Sequence, residues 1–425
     1  MIFQLAVKLK DLFLEKIFML LAIDKIFQFT SQLLVVFIYR EYIGLSNFAN
    51  YIFALVFFTV ISTVSSLGMD RLLLEKFSIE RKLSKWNELL FSSIFYKIIF
   101  SIIIIIIVKL FSPYTTSYYG PEFSAILYIL SFGLIGQSYM LIDAYCQAKK
   151  INIITVKSRI TVVIFINLVR FAIVYYIDDS FTLFLWTFPI EQALYFFFSF
   201  IYGKRYFSEL YKYVNFTYES KFLKDGFRYT FSILLMLFQL KYVFSFIKVN
   251  MSQEFYNYFS IVSNFCDISF SIPALLSLYY RPDLARFYFS DKEIFKKHFF
   301  SFLTNMVSMS IIVVIAIAFV LFLIFTFSYD LDLLYSLPLY VYLLTIPLFY
   351  LSFVIQVFQI TSNNLNYFMM TAIMGSVIML GFLNFIKLFN YNSILIITAY
   401  LLAFFLAQIV IPLLLHRKDL NFLKH

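Results

Sequence analysis

The stretch "QLKYVFSFIK" places Lys241 and Lys248 seven residues apart in sequence that is otherwise almost wholly apolar. On a helix, seven residues return to nearly the same face about 10 Å further along, and Ser245 lies between the lysines on that face. Two ammonium groups so placed can hold an anion through charge-assisted hydrogen bonds. The next segment carries Asn257, Ser260, Asn264, Asp267 and Ser271 at spacings of three and four. That is one polar stripe on an otherwise apolar helix, and it either hydrogen-bonds to neighbouring helices or lines water.

Other charges repeat the theme. Arg159 and Arg170 are eleven residues apart, close to one helical face, with Asn167 near Arg170. Arg170 has Asp178 and Asp179 within reach as partners, or else faces a ligand. Glu191 follows Pro189, whose ring can kink a helix and free a carbonyl. It is either a protonatable group or one half of a buried ion pair. Asp24, Gln28 and Ser31 form a shorter polar stripe. Lys25, Lys109, Lys157, Arg228 and Lys387 sit where their stems can snorkel to a membrane surface. Cys146 and Cys266 have no metal-type spacing, and His298, His416 and His425 fall in or beside polar segments, so neither metal nor cofactor is expected.

Positioning these groups takes long apolar elements. With 62% hydrophobic residues, 14% charged residues and a mean hydropathy of +0.86, the chain is an integral membrane protein. Runs such as "SIIIIIIVKLF" read as helices and lack the alternation of a barrel. Twelve transmembrane helices are expected: Ile17 to Ile38, Asn47 to Gly68, Leu89 to Phe111, Ser124 to Cys146, Ile153 to Ile177, Phe181 to Tyr202, Arg228 to Val249, Asn257 to Tyr280, Phe299 to Phe327, Leu333 to Ile355, Tyr367 to Leu388 and Ser393 to Leu415. The first follows Lys8, Lys10 and Lys16 with no small-residue cleavage site behind it, so it reads as a retained helix.

With the amino terminus inside, the inner segments hold 23 Lys and Arg and the outer loops hold Arg40 alone, leaving ten within the spans. This is the positive-inside pattern. It accounts for the net charge of +10 by orientation and argues against a nucleic-acid partner, for which no basic module exists. Short outer loops without paired carboxylates or a Ser-His arrangement argue against an enzyme.

The polar segment Gly203 to Phe227 falls at mid-chain and divides residues 1–215 from 216–425, two six-helix bundles. Arg71-Leu-Leu-Leu-Glu-Lys-Phe77 follows the second span and Arg281-Pro-Asp-Leu-Ala-Arg-Phe287 the eighth; Phe48-Ala-Asn-Tyr51 and Phe255-Tyr-Asn-Tyr258 open those spans. Such echoes predict a parallel repeat, the all-α bundles flanking a central cleft.

The segments "YREYIGLSNFANYIFAL", "LGMDRLLLEKFS", "DAYCQAKKI" and "FLKDGFRYT" resemble those of polysaccharide flippases, the Wzx-type O-antigen and capsule-unit transporters. These belong to the superfamily that includes lipid II flippases and multidrug exporters. The chain departs from the family's common pattern with Lys241 near the middle of span seven, where many relatives carry an acid, and with Asn390-Tyr-Asn-Ser393 before span twelve. The resemblance implies a transporter that flips undecaprenyl-diphosphate-linked oligosaccharide from the inner to the outer leaflet of a bacterial plasma membrane by alternating access. It also implies H+ or Na+ coupling, and a polysaccharide polymerase and glycosyltransferases as partners beside the membrane lipids.

On this reading Arg40, Arg71, Arg170, Lys241, Lys248, Asn264 and Arg281 contact the substrate, while Asp24, Glu191 and Asp267 are the candidates for the coupling ion. Gly44 would reverse the chain between the first two spans, with Arg40 at the mouth of the cleft. The alternatives are a multidrug or small-molecule exporter on the same fold and a non-catalytic membrane component of polysaccharide assembly. A cationic drug suits an acidic cleft, whereas the deep residues here are at least as basic as acidic.

The charge asymmetry fixes a topology that fusions can check. A fluorescent reporter after His425 or between Gly203 and Phe227 should fold in the cytoplasm, and a phosphatase active only outside should be active when inserted between Ser112 and Gly120. A phosphatase-active fusion at His425 would overturn the assignment.

Overall fold

The computed structural model describes residues 19, 23–24, 26–28, 30–31, 34–70, 73, 83–149, 151–177, 180–207, 220–326, 333–361, 365–386 and 392–415. Every regular element among them is a helix. Ten helices among the described residues are long and apolar enough to cross a membrane: Leu45–Ser66, Glu88–Leu110, Pro121–Ala148, Ile153–Tyr176, Phe181–Lys204, Gly226–Asn250, Lys292–Ile324, Ser336–Gln359, Tyr367–Phe385 and Ser393–Leu415. They correspond to ten of the twelve expected spans. Much of the expected first span lies outside the described residues.

The eighth expected span is present but broken. It runs as Gln253–Ser269, turns at Phe270 and resumes as Ser271–Ser290. Pro273 has no N–H to give the carbonyl of Ser269, and the Tyr350 hydroxyl donates to that carbonyl at 3.0 Å. The polar residues that lower the hydropathy of this segment surround the break.

The fourth span is likewise interrupted, into Pro121–Ser131, Gly133–Gly136 and Tyr139–Ala148. Its loosened carbonyls have specific donors: Ser101 Oγ reaches Leu134 O at 3.2 Å, and Lys97 Nζ reaches Gln137 O at 3.0 Å. The Gln137 carbonyl also accepts from the Met140 amide at 3.0 Å, so Lys97 adds a second donor there, and the third span supplies side-chain donors to the break.

The chain divides into two compact units, Ile2–Thr230 and Phe231–His425, the boundary falling within the helix Ser220–Asn250. In the first, Met69, Leu90, Leu141, Tyr145, Cys146 and Ile154 share one core cluster. Cys146 and Cys266 are both buried free thiols. In the second, Phe244 and Phe259 pack edge to face, Phe259 meets Tyr342, and Tyr342 meets Tyr400. The echoed motifs sit alike in their units: Phe48 and Tyr51 are buried near the start of Leu45–Ser66, as Phe255 and Tyr258 are near the start of Gln253–Ser269. Arg71 lies outside the described residues, as does the side chain of Arg281 on the helix Ser271–Ser290.

Two glycines are required by geometry. Gly44 adopts φ 83° and ψ 147° between the short helix Arg40–Ile43 and Leu45–Ser66, the left-handed region that an L side chain rarely enters. Gly136 faces the helix Phe181–Phe207 so closely that a Cβ would lie 2.4 Å from the backbone nitrogen of Ala193 and the carbonyl carbon of Gln192. Small residues are what allow backbones to approach in this way.

Backbone cannot swing aside as a side chain can. Gly136→Leu should therefore cost at least the about 1–3 kcal/mol of ordinary core overpacking. A lowered melting temperature of the purified variant checks this; an unchanged melt would refute the close approach.

Candidate functional site

In the first unit Arg159 and Arg170 centre two linked clusters of membrane charges. Arg159 and Arg170 project from the helix Ile153–Tyr176 and are both buried. Arg159 gives Nη1 to Asp24 at 2.6 Å and Nη2 to Asp143 at 2.5 Å, and its guanidinium lies over the Tyr139 ring at 5.6 Å. Gln28 adds a hydrogen bond to Asp24 at 3.2 Å. The expected stripe on the first span therefore turns its acid inward, against span five.

Three turns along the same helix, Arg170 donates to Glu191 at 2.6 Å and, through Nε, to Thr187 Oγ1 at 2.9 Å. The other oxygen of Glu191 accepts from the Tyr195 hydroxyl at 2.7 Å. Glu191 is thus an ion-pair partner. The partner the sequence suggested for Arg170, Asp178 or Asp179, lies outside the described residues; the arginine points across to the helix Phe181–Phe207 instead. Between the arginines, Asn167 donates to Ser31 at 2.8 Å, and the Tyr39 hydroxyl donates to the Asn167 carbonyl at 2.9 Å. Tyr139 and Tyr195 meet with ring centroids 5.2 Å apart, joining the two clusters.

The charge balance differs between them. Arg170 and Glu191 cancel. Arg159 stands against two carboxylates, so among the described residues of that cluster one acid exceeds the bases.

In the second unit Lys241 and Asp267 form an ion pair, joining Ser220–Asn250 to Gln253–Ser269. Rise along the two helices puts these residues at similar depth, and the fold joins them. The lysine side chain is 11% exposed and the aspartate 32%, so the carboxylate is the accessible end. Lys248 lies over the Tyr256 ring at 5.3 Å. Along the stripe, Ser260 returns its hydroxyl to the Asn257 carbonyl at 2.6 Å, and Asn264 is partly buried. Arg40, expected at a cleft mouth, is buried.

Sequence reasoning missed two groups. Lys97 is wholly buried in the third span and bonded to the break in the fourth. Gln239 donates to Ala372 O at 2.8 Å and Ser376 Oγ at 3.1 Å and accepts from Gln408, tying three helices of the second unit. The signal was available: each is a strong hydrogen-bonding side chain in a largely apolar run, where it must find a partner.

No family model and no curated protein matches the sequence. Solved structures do. The chain is similar to the MATE multidrug transporter DinF-BH, at 10% identity over 96% of this chain and 95% of that one (TM-score 0.65). It is similar to the lipid II flippase MurJ in an inward closed conformation, at 17% identity over 94% and 89% (TM-score 0.63). The third is the MATE transporter ClbM in complex with Rb+, at 13% identity over 96% and 96% (TM-score 0.63). The chain therefore has the fold of these membrane transporters across almost its whole length.

Removing one member of a buried pair leaves the other charge uncompensated, at about 3–5 kcal/mol. Glu191→Leu alone should lower the melting temperature and yield of purified protein sharply, and adding Arg170→Leu should recover most of the loss. Equal stability of the single and double variants would show that the pair is not coupled.

Proposed function

We propose that this chain is a multi-pass transporter of a bacterial plasma membrane that flips a lipid-linked oligosaccharide between leaflets by alternating access. The observation that carries the reading is the Lys241–Asp267 pair. A lysine held in a membrane span by one accessible carboxylate is a latent anion site, because an arriving diphosphate can compete with Asp267 for the ammonium. Polyanionic phosphate offers more charge and more acceptor oxygens than a carboxylate. Lys248, two turns further along the same face, and Asn264 on the facing stripe extend the site toward a second phosphate and a polar glycan. Arg170 offers the same chemistry in the first unit, with Glu191 as its resting partner, while Arg71 and Arg281 are placed by sequence near the ends of their spans. MurJ, which shares the fold, is by its name a flippase of lipid II.

The unbalanced acid at Arg159 supports proton or Na+ coupling through Asp24. One excess carboxylate in a membrane span is costly when ionised, so taking up a cation relieves it. The same excess favours the second reading, an exporter of cationic small molecules, for which DinF-BH supplies the fold. The two readings differ in which unit must stay charged. Lys241→Ala combined with Asp267→Asn, which leaves no charge uncompensated, should abolish delivery of glycan to the cell surface while the protein accumulates normally, and should leave efflux of a cationic dye unaffected. Normal glycan export by that variant would end the flippase reading.

A further inference from the structure

The second unit contains a cavity of about 390 Å³ that the transport reading does not use. It is lined wholly by apolar side chains from three helices, among them Phe299, Phe300, Leu303, Phe358, Ile409 and Leu413. Phe300 and Leu413 are both 43% exposed, so the cavity opens outward from the unit. Phe299 and Phe358 pack at 5.8 Å and form its inner wall, with Phe295 stacked behind Phe299. The third wall belongs to a helix that winds through a π-helical turn at Leu406–Val410, where Ile409 lines the cavity, before Pro412 resumes the α-helix. Such insertions push side chains out of register and often mark binding sites.

The charge pattern on one wall names the occupant. Phe299, Phe300 and Leu303 follow Lys296 at i+3, i+4 and i+7, so the lysine lies on the same helical face one turn before the cavity. Lys292 lies one turn earlier again. The nearby Asp291 carboxylate is committed to capping this helix, accepting from the amides of Glu293 at 3.0 Å and Ile294 at 3.1 Å. Glu293, three residues before Lys296, shares the face, which therefore reads as two ammonium groups with one carboxylate between them and then an apolar slot, within a helix long and apolar enough to cross the membrane.

We propose that this slot holds one acyl chain of an anionic phospholipid whose phosphate is bound by Lys296 and Lys292. An apolar slot opening to hydrocarbon takes a lipid chain at little desolvation cost, and each nearby lysine draws an anionic headgroup at the membrane surface. The exposed rings and the π turn then serve a bound lipid, which seats the helices Lys292–Ile324 and Thr345–Thr361 against the carboxy-terminal segment.

The test uses the full chain in vesicles of phosphatidylcholine with phosphatidylglycerol, carrying a trace of either lipid with a diazirine on its acyl chain. After photolysis, labelled peptides are mapped. Phosphatidylglycerol should label the segments containing Phe299–Leu303, Leu351–Phe358 and Ile409–Leu413 in preference to phosphatidylcholine. Lys296→Gln should reduce that labelling about fivefold, the effect of one basic residue on an anionic headgroup, and leave phosphatidylcholine labelling unchanged. Leu303→Trp, which fills the slot, should remove it. Equal labelling by the two lipids, or labelling spread evenly over all spans, would overturn the proposal. So would groove labelling that an unlabelled polyprenyl phosphate displaces and unlabelled phosphatidylglycerol does not, since the occupant would then be an isoprenoid chain.

Discussion

A charge in hydrocarbon must be met by a partner, and that requirement organises both units. Moving an unpaired ion into the membrane costs more than any single helix contact returns, so each deep cation here determines which helices lie beside it. Arg159 draws in the first and fourth spans through Asp24 and Asp143; Arg170 draws in the sixth through Glu191. Lys241 joins two consecutive helices through Asp267. The lipid phase supplies no hydrophobic force between helices, and these polar contacts with close glycine packing take its place.

The same economy applies to the backbone. At two of the breaks a side chain from another span takes a carbonyl, Lys97 and Ser101 at the fourth and Tyr350 at the eighth, while at the break between Tyr342 and Thr345 in the tenth the Thr345 hydroxyl takes the Tyr342 carbonyl. The breaks and their donors act as one structure. A break without a donor would cost stability, and Lys97 without that carbonyl would lose the hydrogen-bond acceptor that holds its buried ammonium.

Helical class and the place of ten of the twelve expected spans were legible in the sequence because long apolar runs leave no other solution in a bilayer. The Lys241–Asp267 pair was legible too, since a short turn between two helices fixes relative depth through the rise per residue. Arg170 was harder. Its candidate partners near in sequence were Asp178 and Asp179, and nothing in the spacing revealed that rotation of the next helix would present Glu191 instead. The breaks at Phe270 and around Gly136 were hidden for a different reason: hydropathy averages over a window longer than a turn, so a local interruption disappears inside an apolar run. Lys97 lay within such a run, and its role depends on a carbonyl that only the break exposes.

The contact at Gly136 has a mechanical consequence. No side chain stands between the broken fourth span and the helix Phe181–Phe207 at this point, so the spacing of the two is set by main chain alone, and with it the seat of the acid that balances Arg170.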